Sequence, residues 1–437
     1  MAMFGRWLLG LLVITSIAAV MASVMQPLGA APAAGSSALG AALPQGGMTR
    51  AEVRRRVAVL AALGRRLFFD ARLSDSGRQA CASCHDPQHA FGPPNAAAVQ
   101  LGGPDLRQPG LRAVPSLKYL QVVPAFTEHF FDNEDEADES VDNGPTGGLT
   151  WDGRVDRGHT QAPIPLLSPF EMANASPDAV VARALQAGYG QDLEAIFGAP
   201  ILEDRSAVFA AIVKAFEVFE QDWRTFYPYS SKYDAYLAGL TALTPAEARG
   251  LELFDDPDKG NCAGCHISER GNDGTPPQFT DFGLIALGLP RNPEIPANAD
   301  PAFFDLGVCG PLRTDFRDRD EYCGLFRTPS LRNVATRRTF FHNGVIHSLR
   351  EAAEFYATRD TNPERWYPRG SDGSVRKFND LPPRYWKNLS EEPPFDGRES
   401  GGPPALTEAE IDDLVAFLGT LTDGWFDAGE TTRQADR

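Results

Sequence analysis

Apolar residues recur every three to four positions over 51–69, 178–197, 207–219 and 408–421, the spacing that lines one face of an α-helix. Two helices carry explicit start signals: Thr244-Pro245-Ala246-Glu247 reads as a capping box with proline at the first helical position, and Thr407 with Glu410 repeats the box. No comparable run alternates apolar and polar residues, so the pattern predicts a mainly α protein. Long Pro/Gly/Asp-rich stretches at 92–124, 132–148, 271–311 and 358–404 separate the helices. They are too long for simple connections and suit loops that wrap a large bound group, while disorder stays open for the acidic stretch 132–142.

The N-terminus adds a compartment. One early positive charge, at Arg6, precedes an apolar run over 7–24 and then small residues such as Ala31-Pro32-Ala33, the order of a secretory signal over 1–34. The run is long enough that an uncleaved membrane anchor stays open. Either way the body is exported, and the periplasm is the expected location. The 437 residues are 43% hydrophobic, ordinary for a globular chain with more than one domain. A net charge of −17 argues against nucleic acid or an anionic membrane surface as partner.

The candidate chemistry lies in two copies of one pattern, Cys81-Ala82-Ser83-Cys84-His85 and Cys262-Ala263-Gly264-Cys265-His266. C-x-x-C-H sets two thiols about one helical turn apart, where they can add to the vinyl groups of a haem, and follows them with an imidazole for the iron. Two covalent c-type haems are expected. Of six cysteines, Cys309 and Cys323 remain, with thirteen residues between them. In an oxidising compartment this pair is expected as a disulfide, two free buried thiols being the other reading. The motif GRRLFFD, starting at Gly64, and GLELFD, starting at Gly250, form a weak internal repeat ahead of the two haem patterns. The expected architecture is therefore two cytochrome-c-like helical domains, 48–240 and 241–430, each holding one covalent haem between long irregular loops.

These residues, with LGRRLFFDARLSDSG, CASCHDPQHAF, VPSL at 114–117, WDGR at 151–154, SPFEM at 168–172, RTPSLRN at 327–333 and FFHNG at 340–344, resemble the bacterial di-haem cytochrome c peroxidase family and its MauG-like branch. That resemblance implies His85 and His266 as proximal iron ligands. It places Trp151 between the haems, and Gln161 and Glu171 over the first haem as distal peroxide-pocket residues, with Pro165 beside them. A carboxylate held there could take a proton from one peroxide oxygen and return it to the other. In the peroxidases a methionine is the sixth ligand of the second haem, fourteen residues after the histidine of the FFHNG-like turn. Counting from His342 reaches Tyr356, and none of the six methionines lies beyond Met172. A tyrosinate is a hard oxygen ligand that favours high oxidation states, and MauG-like proteins are similar at this position.

Departures from the family pattern carry further expectations. The asparagine of an inter-haem calcium site maps to Ala113, and its later threonine and proline map to Arg337 and Thr339. Since those later ligands are backbone carbonyls, calcium stays open. The surface tryptophan of MauG-like hole transfer maps to Gly260, so any exit route differs. A distal histidine that would plug the first haem maps to Leu101, so that haem is expected open, with His89, His129 and His159 as remote alternatives. The leading expectation is a periplasmic oxidoreductase that uses hydrogen peroxide to form a high-valent di-haem state and oxidises a residue of a partner protein. One rival is a peroxidase reducing hydrogen peroxide with electrons from a small cytochrome c or copper protein, and the other is a non-catalytic electron-transfer cytochrome. The oligomeric state is left open.

Overall fold

A computed structural model describes residues 48–128 and 144–426. The expected leader, His129 and the acidic stretch 132–142 lie outside them. The first part of the chain forms α1 (Arg50–Phe68), α2 (Cys81–Cys84), α3 (Gly158–Gln161), α4 (Pro163–Leu167), α5 (Pro177–Gln186), α6 (Gly190–Phe197) and α7 (Arg205–Glu220). Then follow α8 (Trp223–Phe226), α9 (Lys232–Leu237), α10 (Pro245–Asp255), α11 (Leu349–Thr358), α12 (Pro363–Trp366) and α13 (Glu408–Gly419). Strand structure among the described residues is confined to three two-residue antiparallel pairs, β1 (Leu101–Gly102) with β2 (Gln108–Pro109), β3 (Thr127–Glu128) with β4 (Pro145–Thr146), and β5 (Leu284–Ile285) with β6 (Phe326–Arg327). The protein is mainly helical.

Helix starts follow local chemistry. Thr49 with Glu52, Thr244 with Glu247 and Thr407 with Glu410 each form a reciprocal capping box, which satisfies amide donors that a helix N-terminus otherwise leaves orphaned. The periodic stretch 178–197 does not run as one helix. Gly188 takes φ +94° between α5 and α6, a left-handed conformation that ends the first helix, and Tyr189 turns its hydroxyl onto Asp70 Oδ2 at 2.8 Å. Tertiary anchoring of the tyrosine overrides the periodicity.

The weak sequence repeat is a packing repeat. At Gly64, α1 crosses α7 so closely that a Cβ would sit 1.9 Å from the Ala215 carbonyl oxygen, and at Gly250 a Cβ on α10 would sit 2.1 Å from the Asp413 oxygen of α13. Four residues on, Phe68 meets Phe219 edge-to-face at 5.5 Å and Phe254 meets Phe417 at 5.2 Å. Each crossing anchors its own apolar cluster: Leu63, Leu67, Ile212 and Phe226 join the first, and Tyr233, Phe279, Phe355 and Leu414 the second. Burying one such side chain contributes about 1.5–3 kcal/mol.

Polar contacts tie the early and late parts of the chain. Asp423 accepts from Lys118 Nζ at 2.8 Å, Tyr119 Oη at 2.6 Å and Asn333 Nδ2 at 2.8 Å. Cys309 and Cys323 are joined as a disulfide, and Asn388 Nδ2 donates to the Cys323 carbonyl at 3.0 Å. That link braces the loop between β5 and β6.

Candidate functional site

The first C-x-x-C-H follows α1 through the turn 69–80, and α2 carries both thiols. His85 Nδ1–H donates to the Phe91 carbonyl at 3.0 Å, which fixes the tautomer and puts the lone pair on Nε2. Burial, outweighing its backbone hydrogen bonds, pushes this imidazole down to about 4, so it is neutral at pH 7. Cys81 and His85 share a cavity with Gln161, Pro165, Phe68, Leu117, Phe216 and Glu220. Gln161 and Pro165 reach it because α3 and α4 run almost continuously across its wall.

Glu171 enters from the turn after α4, its amide bonded to the Ser168 carbonyl at 3.1 Å and its own carbonyl taken by Gly103 N at 2.8 Å. Burial raises its carboxyl above the ordinary range, while the Ser168 hydroxyl and Arg154 pull the other way. Its charge adds to the upward shifts of Cys81 and Cys84, but Glu171 is not among the residues that line the first cavity. Arg154 cannot neutralise it fully, because both Asp152 oxygens hold its Nη1 at 2.8 Å.

The second C-x-x-C-H lacks an α-helix. Cys262–Gly264 is a 3₁₀ turn entered through Asn261 in a left-handed conformation, so the thiol pair sits on a tighter turn than its counterpart. His266 repeats the first site: Nδ1–H donates to the Phe279 carbonyl at 2.9 Å, and burial pushes the ring down to about 4. Tyr356 on α11 faces the cavity that Cys262, Cys265 and His266 line. Its ring stacks on Phe395 at 5.7 Å, and burial, reinforced by Cys265 and Cys262, drives the phenol upward. No hydrogen-bond partner for the phenol occurs among the described residues. With no protein partner there and a place in the cavity wall, the phenol oxygen is available to a ligand held in that cavity.

Trp151 lines the same cavity and is almost fully buried, its Nε1–H on the Ala113 carbonyl at 2.8 Å. The adjacent Asp152 holds it in place: fully buried, that carboxylate accepts from Arg112 Nη1 at 2.7 Å and Thr150 Oγ1 at 2.6 Å, and Arg112 grips Asp305 through Nε at 2.6 Å and Nη2 at 2.8 Å. The ring lies 6.5 Å from that of His342, which stacks on Phe326 at 3.4 Å.

Two thiol pairs, each followed by a neutral imidazole with its lone pair on Nε2, fit covalently held haem. Arg327 and Arg337 strengthen the fit. Both line the larger cavity, burial pushes each guanidinium down to about 10, and neither has a carboxylate partner among the described residues. An unpaired guanidinium in the cavity wall, as at Arg327, suits a porphyrin that carries carboxylates.

Several residues of the site escaped sequence reasoning. Glu220, at the end of α7, lines the first cavity with no hydrogen-bond or ion partner among the described residues, and burial next to Glu217 pushes it up to about 8. Its signal was a carboxylate one turn after Phe216 on an otherwise apolar face. Asp380, pushed by burial up to about 7 and 4.0 Å from His342, had no local signal. Of the alternative histidines among the described residues, His89 pairs with Asp86 at 2.7 Å and lines the larger cavity rather than the first, and His159 pairs with Glu217 at 3.0 Å. Leu101 is 54% exposed on β1 and lies outside the lining of the first cavity. At Gly260 a Cβ would meet the Leu253 carbonyl oxygen at 2.5 Å, so no tryptophan fits there without a backbone shift.

Residues 58–242 match the family described as di-haem cytochrome c peroxidase. The chain is 34% identical to the methylamine utilization protein MauG of Paracoccus denitrificans, over 83% of this chain and 88% of that protein. It is 25% identical to the cytochrome c551 peroxidase of Nitrosomonas europaea, over 70% and 75%. Among solved structures, the di-haem peroxidase BthA of Burkholderia thailandensis superposes with a TM-score of 0.72 at 40% identity, over 84% and 86% of the two chains.

Proposed function

The chain belongs to the di-haem cytochrome c peroxidase family and is an oxidoreductase, and from that premise we propose a periplasmic enzyme that takes two oxidising equivalents from hydrogen peroxide and oxidises a residue of a partner protein. Two haems, held covalently by Cys81 with Cys84 and by Cys262 with Cys265, would supply a pair of irons able to store those equivalents. His85 and His266 would bind them through Nε2, the nitrogen left with the lone pair by the carbonyl bonds to Phe91 and Phe279.

The protein groups divide the work. Glu171 would take a proton from one peroxide oxygen and return it to the other, the haem supplying the electrons for O–O cleavage, and its raised proton affinity favours the first half of that relay. Gln161 orients the peroxide through its amide. Pro165, with no amide hydrogen and a rigid ring, keeps the wall of the cavity apolar. Trp151, immobilised by the Ala113 carbonyl and the Asp152 ion cluster, provides an aromatic group between the two sites.

The observation that carries this reading is the unpartnered phenol of Tyr356 in the cavity of His266. A tyrosine oxygen as ligand stabilises an oxidised iron, which suits storage of equivalents for a protein substrate rather than their rapid reduction by a small donor. The domains 48–240 and 241–430 would then each hold one haem, and export accords with the Cys309–Cys323 disulfide.

Tyr356→Phe in the holoprotein tests the reading. Electron paramagnetic resonance of the ferric protein should lose the signal of the second haem, and the peroxide-oxidised form should no longer accumulate. If both survive unchanged, the tyrosine-ligand reading fails. Steady-state consumption of peroxide with reduced cytochrome c should be negligible; rapid turnover would instead favour peroxide scavenging, the activity in the names of several relatives.

A further inference from the structure

Arg337 follows the turn Val334–Thr336 and closes a contact between distant parts of the chain. Its Nε donates to the Thr339 carbonyl at 3.1 Å and its Nη2 to the Val114 carbonyl at 3.1 Å, 223 residues earlier. The stitch is reinforced next door, where Ala113 N donates to the His342 carbonyl at 2.7 Å and the Ala113 carbonyl accepts Trp151 Nε1. One guanidinium thus bridges the carbonyls of two segments that flank the tryptophan. No carboxylate pairs with it among the described residues. Its charge reaches both sites: it lines the cavity of His266 and Tyr356, and it is near enough to His85 to lower that ring's proton affinity.

A calcium ion in this place would need oxygen ligands at short range, typically six or more. The position that would offer an asparagine is Ala113, 1% exposed and without a side-chain donor. The Thr339 and Val114 carbonyls are already engaged by the guanidinium, and the Ala113 carbonyl by Trp151. Among the described residues no group of three histidine, cysteine or carboxylate side chains is arranged to hold a metal. The residues present do not fit calcium, and they do fit a rigid, permanently charged fork of N–H donors.

We propose that the guanidinium of Arg337 is the resident cation between the two haem sites, doing by side chain what a divalent metal would do, so that this protein couples the sites without calcium. The inference rests on the two-haem reading. A fixed positive charge there raises the reduction potential of nearby irons, because it favours the form with less positive charge.

The test uses the purified holoprotein. Metal analysis after dialysis against calcium-containing buffer should find two irons and no stoichiometric calcium per chain, and EGTA should leave the ferric resonance spectrum and the reduction potentials unchanged. Iron below two per chain would sink the two-haem reading and this inference with it. Two irons with one retained calcium, or a spectral change on EGTA reversed by calcium, would overturn this inference alone. Arg337→Gln, which keeps amide donors but loses the charge, should lower the midpoint potentials, and Arg337→Lys should restore them in part. Unchanged potentials in a folded, fully loaded Arg337→Gln protein would refute the role, and if that variant does not fold, the calcium measurement on the unaltered protein decides.

Discussion

Gly250→Ala should weaken the second haem site specifically. The added Cβ would lie 2.1 Å from the Asp413 oxygen, 2.7 Å from the Asp413 carbonyl carbon and 2.7 Å from Phe417 Cβ. Two of those atoms are backbone, so no rotamer change relieves the clash, and α10 must move from α13 by about 1.3 Å to reach ordinary contact. Overpacking of this kind costs about 1–3 kcal/mol. Alanine returns roughly 0.5–1 kcal/mol of helix propensity, leaving a net loss of up to about 2.5 kcal/mol. For a unit of this size that is roughly 2–4 °C of Tm per kcal/mol. The movement also carries Phe254, fully buried between Phe417 and Phe279, and with it the chain leading to Cys262. Haem content per chain, read by absorbance and mass, should therefore fall at the second site while the first stays loaded; Gly64→Ala, with its Cβ 1.9 Å from the Ala215 oxygen, should produce the mirror image. Gly419→Ala is the control: nothing lies within 4 Å of its Cβ, and it should be neutral or slightly stabilising. Full loading and an unchanged Tm in Gly250→Ala would refute the packing argument.

Two further outcomes follow from the carboxyls of the first site. Glu171→Gln should slow the reaction with hydrogen peroxide by roughly 10²–10⁴-fold in stopped-flow measurements, with haem content unchanged, and a loss below threefold would remove Glu171 from the proton transfer. Glu220 is pushed from 4.5 to about 8 by burial, so across that window the folded chain holds a proton that the unfolded chain has released. Stability contributed here is present at low pH and lost as pH rises toward 8. Glu220→Gln should abolish this loss, so its Tm should gain on the parent between pH 5 and pH 9; parallel Tm curves would show that Glu220 is not protonated in the folded protein.

Much of this molecule is written locally. C-x-x-C-H needs only five consecutive residues, and Thr-x-x-Glu states a helix start within one turn, so both were readable from the chain. The repeated Gly-x-x-x-Phe at Gly64 and Gly250 was visible as a weak repeat, since each helix must present a bare backbone one turn before an aromatic anchor. Tyr356 could be located by counting from His342, but its lack of a hydrogen-bond partner could not, because that depends on what surrounds α11.

Long-range contacts account for the rest. The helical period of 178–197 promised one helix, and the bond from Tyr189 to Asp70, with Gly188 in a left-handed turn, made two. Glu220 reads as one more polar residue on a helix until α7 turns it toward the cavity of Cys81 and His85. Arg337 shows only as a departure from a pattern; its work as a clamp exists because residue 114 is brought beside residue 339. Local sequence sets which groups can attach a haem or start a helix, because those choices are made among neighbours in the chain. Which charges go unpaired, which carboxyls keep a proton and which cation lies between the two sites depend on desolvation and on contacts hundreds of residues apart, and only the folded chain decides them.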